Sequence, residues 1–517
     1  MNGAHELLLS SKGAYEMTIA GLDIGTTGCK LTVFGADGSY LDKAYRDYPV
    51  SRGKRQDESG ETYQEIDTKA ILEAVWEVMK EMGTKYPDIA GIGVTSFGET
   101  FVLADEKGTP LHPAMLYTDP RGEAECAELE AKMGSKKIAS ITGVKPHSTY
   151  SMPKIMWMKR NRPEIYKQAR HAFLIEDLVV YHLTGKAQID YSLAARTMAF
   201  DIVNLTWSEE IFAQAGVDMG LMSRPVPTGT VAGTVLPQIA RLTGISETAQ
   251  VVSISHDQMS AAIGAGIFNS DVAVDGAGTV ECVTPVYDGL PDMDVMYQGN
   301  YAVVPYVIPG KYVCYAFSYT GGALIQWCVD TLAKKEKELA AQEGKSVNEF
   351  LEGTVAEPSG LLVLPHFAGA ATPYMDAGSK GAILGLTAGT TVSDIYRGCM
   401  EGVVYEMMVN LECLKDSGIR FQMLHATGGG AKSAVWMQMK ADVLNMPITE
   451  LKTVDAGTVG SAMLTGIATG CFTDLADAAA HMVEKKKVYY PDSDRHNNYM
   501  VIYDRYKKLY EAVRPLV

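Results

Sequence analysis

Residues 17–30 read MTIAGLDIGTTGCK, and this stretch decides how the chain begins to fold. Met17 to Asp23 is an apolar run of the kind that forms a buried strand, and the glycines and threonines after it are typical of a tight loop. The polarity then alternates from Cys29 to Phe34, and a third strand-like run extends from Tyr40 to Tyr48 after an Asp-Gly turn. The sequence therefore predicts three consecutive antiparallel strands that open on a Gly/Thr loop.

The Gly/Thr loop has the chemistry of a phosphate site. Gly25 and Gly28 carry no Cβ, so their backbone N–H groups can approach an oxyanion, and the hydroxyls of Thr26 and Thr27 add donors. Asp23, at the end of the first strand, can hold a Mg²⁺-bound water beside the phosphates. The alternative is a plain hairpin turn with solvated threonines.

The opening pattern recurs in weaker form later in the chain. A strand is predicted from Asp271 to Asp275, a second small-residue loop at Gly276–Thr279, and another strand from Val280 to Val286. Gly278 and Thr279 are the phosphate candidates of this second loop. The repeat, at a separation of roughly 250 residues, predicts two related α/β domains, although a second, unrelated βα domain explains it almost as well.

Helical and strand patterns fill the chain between the two loops. Residues 68–82 carry apolar side chains at helical spacing, residues 89–96 form a short apolar strand, and residues 123–245 are mainly helical and irregular. No low-complexity linker interrupts the chain. We expect a first domain over residues 17–266 and a second over residues 267–517.

A carboxylate stands where a buried strand meets a helix. Val251 to Ser255 is the strand, and the helix begins at Gln258, directly after Asp257. A carboxylate at such a junction lies at the edge of a cleft and can accept the proton of an attacking hydroxyl. The alternative is that Asp257 is only the N-cap of the helix.

Three consecutive glycines, Gly428 to Gly430, follow a predicted strand at residues 423–426 and precede a predicted helix at residues 433–444. They permit close approach of a flat ligand such as adenine, or of a phosphate at the helix start. A tight strand-to-helix turn is the alternative. The sequence contains neither a P-loop nor a dinucleotide fingerprint.

Three charged residues in the first half are candidates for sugar recognition. Glu99, Asp119 and Arg121 lie in or just after short predicted strands and can hydrogen-bond sugar hydroxyls. Surface salt bridges are the alternative, and spacing alone leaves both open.

Composition excludes several classes of function. The 517 residues carry a formal net charge of −16 without a basic run that could follow a nucleic-acid backbone, so no nucleic-acid partner is expected. The eight cysteines form no CxxC pair, which argues against a zinc site or a disulfide scaffold and favours the cytoplasm.

No apolar run reaches the ~18 residues of a membrane span. Residues 1–16 lack the pattern of a signal peptide, and we expect a disordered extension there.

Taken in order, these pieces resemble the FGGY family of carbohydrate kinases, in the actin-like ATPase superfamily. The resemblance covers nearly all of residues 17–515 and depends on the joint order and spacing of several motifs. They are GLDIGTTGCK at 21–30, TSFGETFVLAD at 95–105, YTDPR at 117–121, MPKIMWM at 152–158, DYSLAARTMAFD at 190–201, SHDQMSAAIGAG at 255–266, GAGTVE at 276–281, YTGGALIQW at 319–327, GGGAKSAVWMQMKADVLNMP at 428–447 and DAGTVGSAM at 455–463.

The resemblance implies two ribonuclease H-like domains around a central cleft, with the sugar mostly on the first domain and ATP mostly on the second. Asp257 would be the catalytic base, and Asp23 and Thr26 would face the transferring phosphate and its Mg²⁺. The nucleotide contacts that it implies are Gly278, Thr279, Gly321, Gly322, Gly429, Gly430 and Ala431. The sugar contacts that it implies are Gly98, Glu99, Asp119, Asp257 and Gln258, with Arg121 as a lesser candidate.

Departures from the family patterns bear on the substrate. Phe97-Gly98-Glu99-Thr100 replaces the Gln-Met-His-Gly stretch usual in xylulose kinases, and Gly98-Glu99 replaces the Arg-Glu pair usual in glycerol kinases. The His256-Asp257 pair is similar to fuculose and rhamnulose kinases. The resemblance therefore favours a ketopentose or a 6-deoxyketohexose, such as xylulose or fuculose, over glycerol. It is also compatible with a homodimer.

Two other classes of function remain open on the sequence. One is a non-catalytic protein that senses a sugar or nucleotide on the same scaffold, because fold does not determine function. The other is an actin-like or chaperone ATPase, in which water is the acceptor. Asp257 and Asp23 argue against the sensor, and the stretch at 95–121 has no purpose in an ATPase that acts on water.

Overall fold

A computed structural model describes residues 17–53, 63–353, 358–452 and 455–517. Over most of this length, the strands and helices follow the polarity pattern of the sequence. The extension expected at residues 1–16 lies outside the described residues. The strands are β1 (Thr18–Ile24), β2 (Gly28–Gly35), β3 (Tyr40–Asp47), β4 (Val50–Gly53), β5 (Tyr63–Ile66), β6 (Ile89–Ser96), β7 (Val102–Ala104), β8 (Ala114–Met115), β9 (His171–Phe173), β10 (Gln188–Asp190), β11 (Phe200–Asp201), β12 (Thr206–Trp207), β13 (Arg224–Val226), β14 (Thr230–Thr234), β15 (Gln250–His256), β16 (Val272–Ala277), β17 (Glu281–Asp288), β18 (Val303–Pro305), β19 (Lys311–Cys314), β20 (Ala316–Ser318), β21 (Leu362–Leu364), β22 (Ala382–Leu384), β23 (Met423–Thr427), β24 (Ile448–Leu451) and β25 (Lys485–Tyr489).

The helices cover the sheets and supply the turns that carry the polar residues discussed below. They are α1 (Thr68–Lys85), α2 (Glu123–Met133), α3 (Ser135–Thr142), α4 (Ser151–Asn161), α5 (Pro163–Gln168), α6 (Ile175–Thr184), α7 (Tyr191–Ala195), α8 (Glu209–Ala215), α9 (Pro237–Thr243), α10 (Asp257–Gly264), α11 (Met293–Gln298), α12 (Gly322–Thr331), α13 (Lys334–Gln342), α14 (Val347–Glu352), α15 (Val392–Asp416), α16 (Ala434–Leu444), α17 (Ala456–Thr469), α18 (Leu475–Met482), α19 (Ser493–Tyr506) and α20 (Leu509–Val513).

The first of two compact units contains the described residues up to 133 together with residues 147–264 and 457–482. Its sheet has the order β14-β15-β6-β1-β2-β3, in which β1, β2 and β3 form the predicted antiparallel meander. Strands β6 and β15 continue the sheet in parallel with β1. Strand β1 is almost wholly buried because it lies between β2 and β6.

The second unit contains residues 134–146, 265–456 and 483–517. Its main sheet repeats the same plan in the order β18-β19-β17-β16-β23-β24-β25, with β16 antiparallel to β17 and parallel to β23. The predicted α/β class with two related halves is therefore confirmed. In each unit the first two strands join at a small-residue loop, which places the two Gly/Thr loops at equivalent corners of the two sheets.

Helix α17 belongs to the first unit by its contacts, whereas the expected range 267–517 would place it in the second. A Cβ added at Gly21 of β1 would lie 2.3 Å from the backbone oxygen of Thr458. The Ser461 hydroxyl donates to the carbonyl oxygen of Gly93 in β6 at 2.8 Å. The small residues of α17 thus let its backbone lie directly against the sheet.

The polarity pattern does not predict α15, which spans 25 residues and is the longest helix in the described part of the chain. Its buried residues include Tyr396, Gly398, Val403 and Tyr405, so they occur all round the helix and leave no clear amphipathic stripe. A helix buried on most sides is hard to recognise from periodicity.

Candidate active site

Hydrogen bonds close the first Gly/Thr loop into a fixed turn. The N–H of Gly25 donates to the carbonyl oxygen of Gly28 at 2.9 Å, and the N–H of Tyr48 donates to the carbonyl oxygen of Thr27 at 3.1 Å. The Tyr48 hydroxyl donates to the carbonyl oxygen of Gly25. Thr27 is exposed and Thr26 half-buried, so these two side chains remain accessible at the tip of the turn.

Asp23 lies at the base of this turn and faces two positive groups. Its Oδ2 is 3.1 Å from Nζ of Lys30, the residue opposite it in the β1–β2 ladder. A Cβ added at Gly457, in the first turn of α17, would lie 2.8 Å from the same Oδ2. A negative charge at a helix N-terminus is stabilised by the helix dipole, so Lys30 and the start of α17 both interact favourably with a carboxylate at this position.

Asp257 is the first residue of α10 and follows β15 directly. Its Oδ1 accepts from the N–H of Gln258 at 2.6 Å and lies 3.3 Å from Nε2 of His256. Its side chain remains 29% exposed, so a bound hydroxyl can reach it. Burial, with repulsion from Asp23 second, raises the pKa of Asp257 to about 7.

Glu99 and Arg196 form an ion pair next to Asp257. Nε of Arg196 donates to Oε1 of Glu99 at 2.5 Å, and both side chains are largely buried. Glu99 has a left-handed backbone with φ 59°, which is uncommon outside glycine and typical of functional sites. A Cβ at Gly98 would lie 3.0 Å from the ring of His256 and 3.1 Å from Cγ of Arg196, so glycine there leaves room for both side chains.

Arg196 and His256 were not among the predicted site residues. Arg196 stands 97 residues from its partner in the chain, and nothing local indicates the contact. His256 had one signal, its position beside Asp257. Burial, followed by the positive charge of Arg196, lowers the pKa of His256 well below its usual range, so its ring is neutral.

Asp119 and Arg121 form a buried ion pair rather than a surface one. Nη2 of Arg121 lies 2.7 Å from Oδ2 of Asp119 and 2.8 Å from Oε1 of Glu65, and the Asp119 side chain is fully buried. The Arg121 guanidinium also lies 4.1 Å from the centre of the Tyr63 ring. Sugar contact by Asp119 and by Gln258, which follows Asp257 in the first turn of α10, stays a prediction.

The second unit contains a cavity of about 960 Å³, within the size range of ligand sites. Five predicted nucleotide contacts line it, namely Gly278, Thr279, Gly322, Gly429 and Gly430. The other lining residues are Ala323, Ile325, Gln326, Ser346, Asn348, Glu349, Glu352, Tyr396, Lys432, Ser433 and Trp436. The structure therefore brings three predicted glycine loops together at one cavity.

Backbone hydrogen bonds join two of these loops. The N–H of Gly322 donates to the carbonyl oxygen of Gly278 at 2.9 Å, and the N–H of Gly321 donates to that of Thr279 at 3.0 Å. Gly321 itself packs against Glu281, since a Cβ there would lie 2.9 Å from the Glu281 nitrogen. Ala431 is buried behind the third loop. Gly321 and Ala431 thus support the cavity without lining it.

Beneath this cavity lies a buried charge cluster that the sequence reading did not identify. Nζ of Lys440 is 2.6 Å from Oδ2 of Asp275 and also bonds Oε1 of Glu281, and all three side chains are essentially inaccessible. Burial and the neighbouring Asp275 raise the pKa of Glu281 well above its usual range despite Lys440. The cluster joins α16 to both ends of the Gly276–Val280 turn.

Comparison with known proteins identifies the family. A family model described as "FGGY family of carbohydrate kinases, N-terminal domain" matches residues 18–264, and the C-terminal domain of the same family matches residues 281–469. The chain belongs to the FGGY family of carbohydrate kinases. The predicted carbohydrate kinase activity, a phosphoryl transfer to an alcohol group, is confirmed at this level.

Curated relatives of this carbohydrate kinase carry two names. The xylulose kinase of Bacillus subtilis (strain 168) is 26% identical over 503 residues, covering 96% of this chain and 97% of that protein. The glycerol kinase of Symbiobacterium thermophilum is 29% identical over 481 residues, covering 89% and 91%. The ligand-bound xylulose kinase structure from Lactobacillus acidophilus aligns with a TM-score of 0.85 at 22% identity, covering 96% and 98%. That likeness confirms the two-domain actin-like fold of the carbohydrate kinase.

Sugar kinases of this family use ATP, typically with Mg²⁺. Within the described part of the chain, no cluster of three or more His, Cys, Asp or Glu side chains is arranged to hold a metal ion.

Over the same residues, no helix of this carbohydrate kinase has both the length and the apolar character needed to cross a bilayer. All eight cysteines are free thiols.

Proposed function

We propose that this carbohydrate kinase transfers the γ-phosphoryl group of ATP to a hydroxyl of a ketopentose or 6-deoxyketohexose, with Asp257 as general base. The observation that carries the proposal is Asp257 itself, a partly accessible carboxylate with a pKa of about 7 beside the Glu99–Arg196 pair. A base works best when its pKa is near the working pH.

In the proposed reaction, ionised Asp257 accepts the proton of the acceptor hydroxyl as that oxygen attacks the γ-phosphorus. The bond from the γ-phosphorus to the bridging oxygen breaks, and ADP leaves with the bond's electron pair. Nε2 of the neutral His256 ring would donate its N–H to the Asp257 carboxylate and so hold that carboxylate in orientation. Glu99 would accept hydrogen bonds from sugar hydroxyls, and Arg196 would hold Glu99 in place.

The nucleotide would occupy the cavity of the second unit. Its loops at Gly278 and Gly429 suit phosphate and adenosine, because backbone can approach a ligand closely at glycine. Asp23 fits a Mg²⁺ ion held through water, since Mg²⁺ is commonly bound by one or two carboxylates plus phosphates and waters. When bound, that ion would neutralise charge on the phosphates. The hydroxyls of Thr26 and Thr27 would donate hydrogen bonds to the phosphate oxygens.

The substrate preference is supported by the residues near Glu99, because the names of the relatives point both ways. Gly98 has no Cβ, so the side chain of Arg196, the C-cap residue of α7, can lie beside Glu99. The residues near Glu99 therefore differ from the Arg-Glu pair usual in glycerol kinases. The names of the relatives include both xylulose kinase and glycerol kinase. We therefore assign a ketose with several hydroxyls as the acceptor, and glycerol as a poor one.

Activity should fall as the pH drops below about 7, because the pKa of Asp257 lies at about 7 and only its ionised form accepts a proton. The measurement is kcat/KM for the sugar against pH, at saturating Mg-ATP. The neutral ring of His256 does not account for such a limb, since its pKa lies well below its usual range. A profile that stays flat through pH 7 contradicts the assignment of the base.

Gly429→Leu should raise the KM for ATP at least ~10-fold, because the new side chain projects into a cavity where close backbone approach is needed. No atom lies within 4 Å of a Cβ at Gly429, so thermal stability should be unchanged. Gly389→Leu is the matched control, an exposed glycine of the same unit whose Cβ would meet only one side-chain atom, at 3.9 Å. Equal KM values for the two variants contradict the nucleotide site.

Coupled ADP release from the purified kinase tests the whole proposal. The panel would be D-xylulose, L-xylulose, D-ribulose, L-ribulose, L-fuculose, L-rhamnulose, erythritol, gluconate and glycerol. One strong ketose signal supports the proposal. A strong glycerol or gluconate signal overturns the substrate class, ADP release that needs no sugar indicates an ATPase, and tight ATP binding without turnover indicates a sensor.

A further inference from the structure

Asp190 is a fully buried carboxylate that accepts four hydrogen bonds. Its Oδ1 accepts from the N–H of Leu193 at 2.9 Å and from the Ser192 hydroxyl at 3.0 Å. Its Oδ2 accepts from the N–H of Ser192 at 2.9 Å and from the Thr228 hydroxyl at 2.7 Å. Asp190 thereby caps α7, whose five residues are too few to be stable as an isolated helix.

Helix α7 contacts the acceptor site at two points. The Ser192 hydroxyl, which donates to Asp190, also accepts from the backbone N–H of His256 at 2.9 Å, one residue before Asp257. At the other end, the C-cap residue of α7 is Arg196, the partner of Glu99. Asp190 is thus linked through Ser192 to the residue before the base, and through α7 to the Glu99–Arg196 pair.

We propose that Asp190 is a positioning residue for the acceptor site, which sets the base Asp257 through Ser192 and sets the Glu99–Arg196 pair through the orientation of α7. This inference rests on the proposed function of Asp257 and Glu99. Small displacements of a base or a substrate contact are costly, since a misplacement of about 1 Å can lower turnover about 10²-fold.

A second Asp–Ser pair in the same unit provides a matched control. The Ser223 hydroxyl donates to Oδ2 of Asp177 at 2.6 Å, and both residues are as buried as Asp190 and Ser192. Among the described residues, the Asp177 carboxylate bonds the Ser223 hydroxyl and nearby backbone of its own helix, and it does not bond His256, Asp257 or Arg196. Loss of the Asp177–Ser223 bond reports what a buried bond contributes to stability alone.

The test compares Ser192→Ala with Ser223→Ala in the full-length enzyme. Ser192→Ala leaves the His256 N–H without its acceptor beside the base, and we expect kcat to fall ~10-fold while the KM for ATP stays within ~2-fold. Ser223→Ala should lose a similar amount of thermal stability with kcat within ~2-fold of the unchanged enzyme. Equal effects of the two variants on kcat, whether large or absent, overturn the proposal.

Asp190→Asn adds a test of the sugar-side branch. An amide keeps one acceptor oxygen, so one backbone N–H of α7 loses its acceptor and one hydroxyl must turn from donor to acceptor. We expect α7 to shift with Arg196. We expect a rise of at least ~5-fold in the sugar KM in addition to the fall in kcat, and neither change in Asp177→Asn. A sugar KM equal in Asp190→Asn and Asp177→Asn overturns this branch.

Failure of this inference is distinguishable from failure of the proposed function. If Asp257→Asn keeps its turnover, Asp257 is not the base and the proposed function fails, whatever Ser192→Ala does. If Asp257→Asn loses turnover while Ser192→Ala and Ser223→Ala behave alike, the base stands and the positioning role of Asp190 is wrong.

Discussion

Asp257→Asn will lower kcat by a factor of ~10² to 10⁴, the contribution typical of a positioned general base. Asparagine keeps the oxygen that accepts from the N–H of Gln258, at 2.6 Å in the structure, so the start of α10 is preserved. What is lost is the group that accepts the sugar proton. Single-turnover and steady-state ADP release at saturating sugar and Mg-ATP would measure the effect.

Asp218→Asn is the matched control for this change. Asp218 is an exposed residue of the same unit whose Oδ1 also accepts from a backbone N–H, that of Gly220 at 2.9 Å. We expect turnover within ~2-fold of the unchanged enzyme, because surface substitutions away from functional features have small effects. Near-normal turnover in Asp257→Asn would remove Asp257 from the role of base.

Lys440→Met will destabilise the protein by ~3–5 kcal/mol, the cost of removing one partner from a buried ion pair. Asp275 and Glu281 would remain buried with a charge that nothing compensates. Because these residues hold the turn that contains Gly278, the KM for ATP should rise as well. Chemical denaturation with and without nucleotide would measure the free energy of unfolding.

Lys452→Met separates this effect from simple loss of a lysine. Lys452 pairs with Glu484 in the same unit, but the two side chains are 54% and 65% exposed. Such surface pairs contribute ~0–1 kcal/mol. The double variant Lys440→Met/Asp275→Asn removes the Asp275 carboxyl along with the cation and should recover part of the loss, because Glu281 already favours its protonated form. Equal unfolding free energies for Lys440→Met and Lys452→Met would show that the buried cluster is not needed for stability.

Local patterns were sufficient to predict the parts of the site that lie at strand ends. The loop after β1 and the junction of β15 with α10 are each encoded within about ten residues, by an apolar run followed by glycines or by a carboxylate. Asp23 and Asp257 can therefore be recognised as candidates from the sequence without knowledge of the sheet order.

Pairings across the chain could not be predicted in this way. Lys440 meets Asp275 across 165 residues, and Arg196 meets Glu99 across 97. Such contacts depend on which strands are neighbours and on where each helix crosses the sheet, and single-sequence periodicity gives neither. The same limit explains why the sequence offers a surface salt bridge as the alternative role of Asp119, whereas Asp119 forms a buried pair with Arg121.

The close packing of α17 on β1 and β6 has a consequence for synthesis on the ribosome. The strands of the first sheet are complete once residue 256 has been made, yet the helix that lies against Gly21 and Gly93 begins 200 residues later, at Ala456. During translation at roughly 5–20 residues per second, that face of the sheet stays uncovered for ten seconds or more. The first unit therefore finishes folding only after nearly the whole chain has been made, although it begins at the N-terminal end.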